Sequence, residues 1–186
     1  LKMTNEKMKN SIRTKELKLG LWKKIYHFPI VIYLLIGPST LFFFHLKTYI
    51  FATPKPFREW EVRLIIVFSI LALMFYLLQK NRLKFKSVDT TLTREELNPI
   101  IGKVANELEW TLHQNSKKMM TFKSNPRLWS GSWGEQITIL FYKNRVLVNS
   151  ICDLEKQNSV ASYGRNKENM AKLIEEIKKP TSSCLY

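Results

Sequence analysis

The chain has 186 residues and a formal net charge of +15. Its two cysteines, Cys152 and Cys184, are far apart and share no short motif, which excludes a disulfide framework and a cysteine-based metal site. The charge is uneven: residues 1–86 hold 16 Lys and Arg against 4 acidic residues, and residues 87–186 hold 14 against 11. A nucleic-acid reader concentrates its basic residues on the folded domain, so this distribution points to a membrane surface and away from nucleic acid.

Residues 1–27 form a basic tail with eight Lys or Arg against Glu6 and Glu16. Ile12, Leu17, Leu21, Trp22 and Ile25 fall on one face of a helix, and Lys15, Lys18, Lys23 and Lys24 surround the other. That pattern suits a helix lying in the headgroup plane, or a solvated tail that sets topology.

Two apolar segments follow. Phe28–Leu46 is nineteen residues without a formal charge, and Trp60–Gln79 is twenty residues charged only at Glu61 and Arg63. A bilayer core of about 30 Å takes roughly twenty helical residues, so residues 28–79 read as a transmembrane hairpin. The first run is too long for a signal peptide, and no small-x-small cleavage site follows it. Gly37-Pro38 predicts a kink, because proline removes a helical hydrogen bond and clashes with the preceding turn. His45 falls near the end of the first span, where the interface solvates it.

The loop between the spans carries Pro54 and Pro56. Lys80, Arg82, Lys84 and Lys86 crowd the end of the second span, in a basic juxtamembrane linker over 80–86. Together with Lys23 and Lys24 they are the candidate contacts to anionic lipid. Positive-inside weighting places both termini in the cytoplasm, giving a multi-pass protein of the inner (cytoplasmic) membrane.

Residues 87–179 read as a cytoplasmic α+β domain, and 180–186 as a loose tail. Thr93-Arg-Glu-Glu96 is a capping box, with Leu97, Ile100, Ile101, Val104, Ala105 and Leu108 at helical spacing behind it. Pro99 offers an alternative start near Asn98. Strands are predicted at Trp110–Gln114, Met119–Lys123, Gln136–Tyr142, Arg145–Cys152 and Ser159–Tyr163. Lys143-Asn144 is a tight turn, and Ile137, Ile139 and Phe141 alternate with polar neighbours in a half-buried pattern. A last helix runs from Asn166, as N-cap, to about Lys179, with Met170, Leu173, Ile174 and Ile177 on one face. The order is helix, an antiparallel meander of four to five strands, then helix. This is a two-layer α+β domain with both helices on one face of the sheet.

No nucleotide-binding glycine loop, metal cluster or nucleophile elbow is present, so no cofactor and no metal are assigned. The catalytic alternative is a thiol–imidazole site of Cys152 and His113, with Arg165 near it; a cysteine in an apolar strand is otherwise a small core residue. Arg127-Leu-Trp-Ser-Gly-Ser-Trp-Gly134 places Trp129 and Trp133 in a loop suited to a partner or the bilayer interface. Asp153, Arg165 and Asn166 fit a turn network or a small anion site at a helix N-terminus.

The runs Asn149-Ser-Ile-Cys-Asp153 and Ser162-Tyr-Gly-Arg-Asn166 together resemble small, uncharacterised bacterial membrane proteins with a two-helix transmembrane hairpin and a C-terminal α+β domain. The resemblance covers roughly residues 135–178, implies that architecture and carries no activity. The expected function is a non-catalytic accessory or anchoring subunit, with membrane lipids and another membrane protein or complex subunit as partners. The alternatives are a membrane-surface enzyme, or a sensor of anionic lipid or a small ligand.

Overall fold

A computed structural model describes residues 4–51, 55–125, 133–156 and 164–179. Among them are six helices and one five-stranded sheet. The chain divides into two units: residues 20–81, and a unit made from 1–19 together with 82–186.

The first unit contains α2 (Leu21–His27), α3 (Pro29–Ile50) and most of α4 (Glu59–Arg82). At about 1.5 Å per residue, α3 and α4 are roughly 33 and 36 Å long, enough for a hydrocarbon core. Both are long and apolar enough to cross a membrane, and nearly all of their apolar surface lies open. Helix α3 continues through Pro38, the one buried residue on it. A side chain at Gly37 would meet nothing within 4 Å.

His45 is more firmly held than the solvated reading implies. Its Nε2 lies 3.1 Å from Glu61 Oε2 and its Nδ1 lies 3.2 Å from the Lys55 carbonyl. The Phe57 ring stacks 3.8 Å away, and the Arg58 amide donates to the same Glu61 oxygen. At the other end of the helix pair, His27 Nε2 lies 3.0 Å from the Gln79 carbonyl and Phe28 packs on Tyr76.

The second unit is an antiparallel sheet in the order β1-β5-β4-β3-β2. Its strands are β1 (Lys86–Asp89), β2 (Trp110–Ser116), β3 (Met119–Ser124), β4 (Glu135–Tyr142) and β5 (Arg145–Cys152). Four match the sequence expectation. The fifth is Lys86–Asp89, paired to Val148–Arg145, at the junction of the expected linker and domain, where no strand was expected. Ser159–Tyr163 lies outside the described residues.

Helix α5 (Arg94–Glu107) starts at the capping box: the Thr93 side chain accepts from the Glu96 amide while Glu96 accepts from the Thr93 amide. The helix therefore begins before Pro99, which sits inside it, and the later start near Asn98 is not adopted. In α6 (Arg165–Lys178) the N-cap is Gly164, at φ 92°, rather than Asn166. Glycine is the residue that adopts this left-handed conformation without cost.

Helices α5 and α6 cover one sheet face. Leu97, Ile101 and Val104 of α5 and Met170, Leu173 and Ile177 of α6 pack with Phe122, Ile137, Ile139 and Val148. The opposite face is covered as well, which corrects the two-layer expectation. Met8 of α1 (Asn5–Thr14), Leu17 and Leu19 pack with Phe85, Met119, Leu140, Leu147 and Ile151. Backbone bonds fix this layer: the Leu17 amide donates to the Leu83 carbonyl and the Phe85 amide to the Lys15 carbonyl, both at 2.8 Å.

The supposed tail thus splits. Ile12 and Leu17 join the domain, whereas Leu21, Trp22 and Ile25 stand exposed on α2. Because both sheet faces are covered, strand β4 is buried on both sides: Gln136, Thr138 and Leu140 are as enclosed as Ile137 and Ile139. The half-buried alternation expected there does not hold.

Candidate functional site

The richest arrangement of buried charge lies where β3, β4 and β5 end together beside the start of α6. The register sets Glu135 opposite Cys152, with Lys123 opposite Gln136 one step along. Gly134, at φ 119°, closes the corner, and its carbonyl accepts from the Asp153 amide at 2.9 Å.

Glu135 is fully enclosed. Its Oε2 accepts from the Ser124 hydroxyl, and its amide donates to the Ser124 Oγ at 3.0 Å. The Arg165 guanidinium lies 3.4 Å from the same Oε2 and reaches the Asn125 carbonyl at 3.5 Å. A buried carboxylate is stable only when paired and hydrogen-bonded, and Oε2 is both. Oε1 has no hydrogen-bond partner among the described residues.

Beside it, Lys123 Nζ lies 3.1 Å from Asp153 and 2.6 Å from Glu155. Burial pushes the Lys123 ammonium down, but the bonds from Glu155 and Asp153 outweigh it and hold the group above its ordinary value. Asp153 Oδ1 also accepts the Glu155 amide, closing the turn after β5. Nearby, the Ser150 hydroxyl donates to Asn166 Oδ1 at 2.9 Å and accepts from Asn169 Nδ2 at 3.2 Å.

Asp153, Arg165 and Asn166 are therefore each engaged by a different neighbour: Lys123, Glu135 and Ser150. Two of these contacts are ion pairs, Lys123 with Asp153 and Arg165 with Glu135, and the third is the Ser150–Asn166 hydrogen bond. Sequence reasoning missed Ser124 and Glu135. A Ser at a strand's end and a Glu after a glycine read as turn residues, and only the β3–β4 register brings them together.

The thiol–imidazole pairing is not assembled. Cys152 is on β5 and His113 on β2, with β4 and β3 between them, three strand spacings of roughly 4.8 Å each. His113 is the extra residue of a bulge between Leu112 and Gln114 on the edge strand, and it is exposed. Arg165 is turned to Glu135.

Of the aromatic loop, Trp133 is half exposed, and Arg127 and Trp129 lie outside the described residues. The basic set divides. Lys23 and Lys24 are on α2, and Lys80 and Arg82 on the last turn of α4. Lys84 pairs through its backbone with Glu16 in an isolated antiparallel β-bridge, and Lys86 opens β1. Asn149 Nδ2 donates to the carbonyls of Arg82 and Lys84 at 2.9 and 3.0 Å, fixing the chain between α4 and β1. No group of three or more metal-ligating side chains occurs among the described residues.

Comparison with family models, with curated proteins and with solved structures finds no match.

Proposed function

We propose that the protein is a non-catalytic integral protein of the inner (cytoplasmic) membrane. In this reading its α+β domain anchors or assembles another membrane protein, as an accessory subunit of a complex, and both termini are cytoplasmic.

One observation carries the proposal: a single domain draws its core from both flanks of the apolar hairpin. Met8, Leu17 and Leu19 precede the hairpin, while Leu140, Leu147 and Ile151 follow it, and all six share one cluster. Two flanks that fold together must lie on the same side of a bilayer, which is what two crossings require. The excess of basic residues on those flanks favours the cytoplasmic side. The open apolar flanks of α3 and α4 suit lipid or a partner's spans.

Purification in mild detergent followed by mass spectrometry tests this reading. A stoichiometric companion protein is the expected result, and a companion-free protein with turnover of a membrane substrate would overturn it. Topology is checked separately. A reporter active only outside the cytoplasm is silent when fused after Cys184 and active when inserted near Pro54.

A further inference from the structure

Helix α1 does not cover the sheet's second face completely. Two adjoining cavities, of about 810 and 500 Å³, open between α1 and the turns β2–β3 and β4–β5. They share Lys9, Ile12 and Tyr142 and form one groove within the α+β domain. Its floor is apolar, from Met8, Ile12, Met119 and Leu147. Its rim holds Lys9, Arg13, Lys15, Lys117, Lys118 and Lys143, and no carboxylate lines either cavity. Arg145, which also lines it, is paired with Asp89 at 2.8 Å. No ion pair links any of the six rim cations to a described acid.

Two of these cations stand on strained backbone. Lys15 and Lys143 are at φ 52° and 51°, two of the three described non-glycine residues with positive φ. Lys15 is the C-cap of α1 and Lys143 opens the β4–β5 turn, positions where glycine or asparagine is the commoner choice.

We propose that this groove binds a single anionic amphiphile, a phosphate-bearing lipid, with its headgroup on the lysine rim and its acyl chain on the Met8–Ile12–Met119 floor. The charge is complementary: none of the six rim cations is ion-paired to a described acid, and Lys143 Nζ rests 5.6 Å over the Tyr142 ring of the groove wall. Free phosphate would use the rim and leave the apolar surface of Ile12 and Tyr142 uncovered. Each of the two cavities, at 810 and 500 Å³, falls within the roughly 300–1,000 Å³ of small-molecule sites. The inference rests on the membrane reading above, since a protein with two spans meets such lipids at high local concentration.

The test uses the full-length protein in a neutral detergent with dioctanoyl phosphatidate, against dioctanoyl phosphatidylcholine, inorganic phosphate and an octaglutamate peptide. Calorimetry is expected to show phosphatidate binding at least tenfold more tightly than each of the others. Lys118→Gln with Lys143→Gln weakens phosphatidate at least tenfold, whereas Lys167→Gln with Lys178→Gln, which removes equal charge from α6, leaves it unchanged. Tyr142→Ser weakens it several-fold through the apolar wall. Circular dichroism verifies that each variant is folded. Equal binding of the two lipids overturns the proposal, as does phosphate or octaglutamate binding as well as phosphatidate, or indifference to the Lys118/Lys143 pair. A missing partner protein in the purification leaves this result standing, so the two readings fail separately.

Discussion

Arg165 holds its guanidinium 3.4 Å from the Glu135 carboxylate, across the gap between the start of α6 and the start of β4. The Glu135 side chain is wholly enclosed, and the Arg165 side chain is 15% exposed. Removing one partner of a buried pair leaves an uncompensated charge and costs about 3–5 kcal/mol. Arg165→Met is therefore expected to destabilise the domain by about 3 kcal/mol. Glu135→Gln, which keeps a partner for Ser124, costs less, and the double variant costs less than the sum. Denaturant unfolding of all three in detergent measures the cycle; strict additivity would mean that the two side chains do not interact.

Gly134 tests the same corner from the backbone. A Cβ there would lie 2.5 Å from the Ser124 carbonyl oxygen, on a φ of 119°. Neither the strand end nor the conformation can yield cheaply. Gly134→Ala is expected to lower stability by about 2 kcal/mol or more and to disturb the Asp153 turn. Thermal unfolding with the midpoint unchanged would show that the corner is looser than this geometry.

Lys143 separates stability from binding. It sits first in the two-residue turn between Tyr142 and Arg145, at positive φ. Lys143→Gly relieves a left-handed conformation that costs a non-glycine residue roughly 1–2 kcal/mol, so the variant is expected to be more stable by about 1 kcal/mol. It also removes a rim cation and so weakens phosphatidate. A gain in stability together with a loss of affinity, read by unfolding and calorimetry on one preparation, is the expected pair of results.

The acid limb of stability is expected to report on Glu176. Bonds from Lys179 and Lys103, the latter at 3.2 Å, hold its carboxyl below the ordinary value against the opposing effect of burial. A lowered folded pKa means that the stabilisation is fully present above the unfolded value of about 4.3 and is lost as pH falls through the folded one. Stability should therefore fall with pH below about 4.3, and Glu176→Gln should flatten that slope. An identical slope in the variant would assign it to other carboxylates.

What was legible in the sequence follows from signal strength. Helix α5 announced itself through Thr93 and Glu96, and β2 to β5 through their runs and the Lys143-Asn144 turn. Strand β1 did not: Lys86-Ser-Val-Asp89 offers one apolar residue, Val88, inside a basic run, and only pairing to β5 makes it a strand. The third layer was hidden for a related reason. Met8 and Leu19 are apolar positions among many lysines with no period to mark them, and Leu17 reads as part of a helical face with Leu21, Trp22 and Ile25 when it belongs to the domain core. Asn166 looked like an N-cap because its chemistry suits one, yet Ser150, across on β5, claims its side chain. The Glu135 site was invisible because it depends on register, which no local pattern encodes.

The discontinuity of the domain yields the sharpest prediction. A fragment beginning at Ser87 looks like a complete α+β unit in sequence. It lacks Met8, Leu17, Leu19 and Phe85, which are at most 8% exposed and cover one face of the sheet. Each fully buried apolar side chain of this size contributes about 2 kcal/mol relative to exposure. Losing all four removes more than many small domains have in total, and it uncovers Leu140, Leu147 and Ile151. Residues 87–186 alone are therefore expected to aggregate or to bind a hydrophobic dye. A fusion of residues 1–19 to 82–186 through a short Gly-Ser linker restores the Leu17–Leu83 pairing and should fold without the hairpin. Within the full chain, Leu17→Asp should produce the same defect as the truncation. A soluble, cooperatively unfolding 87–186 fragment would show that the N-terminal layer is an accessory to the fold and not part of it.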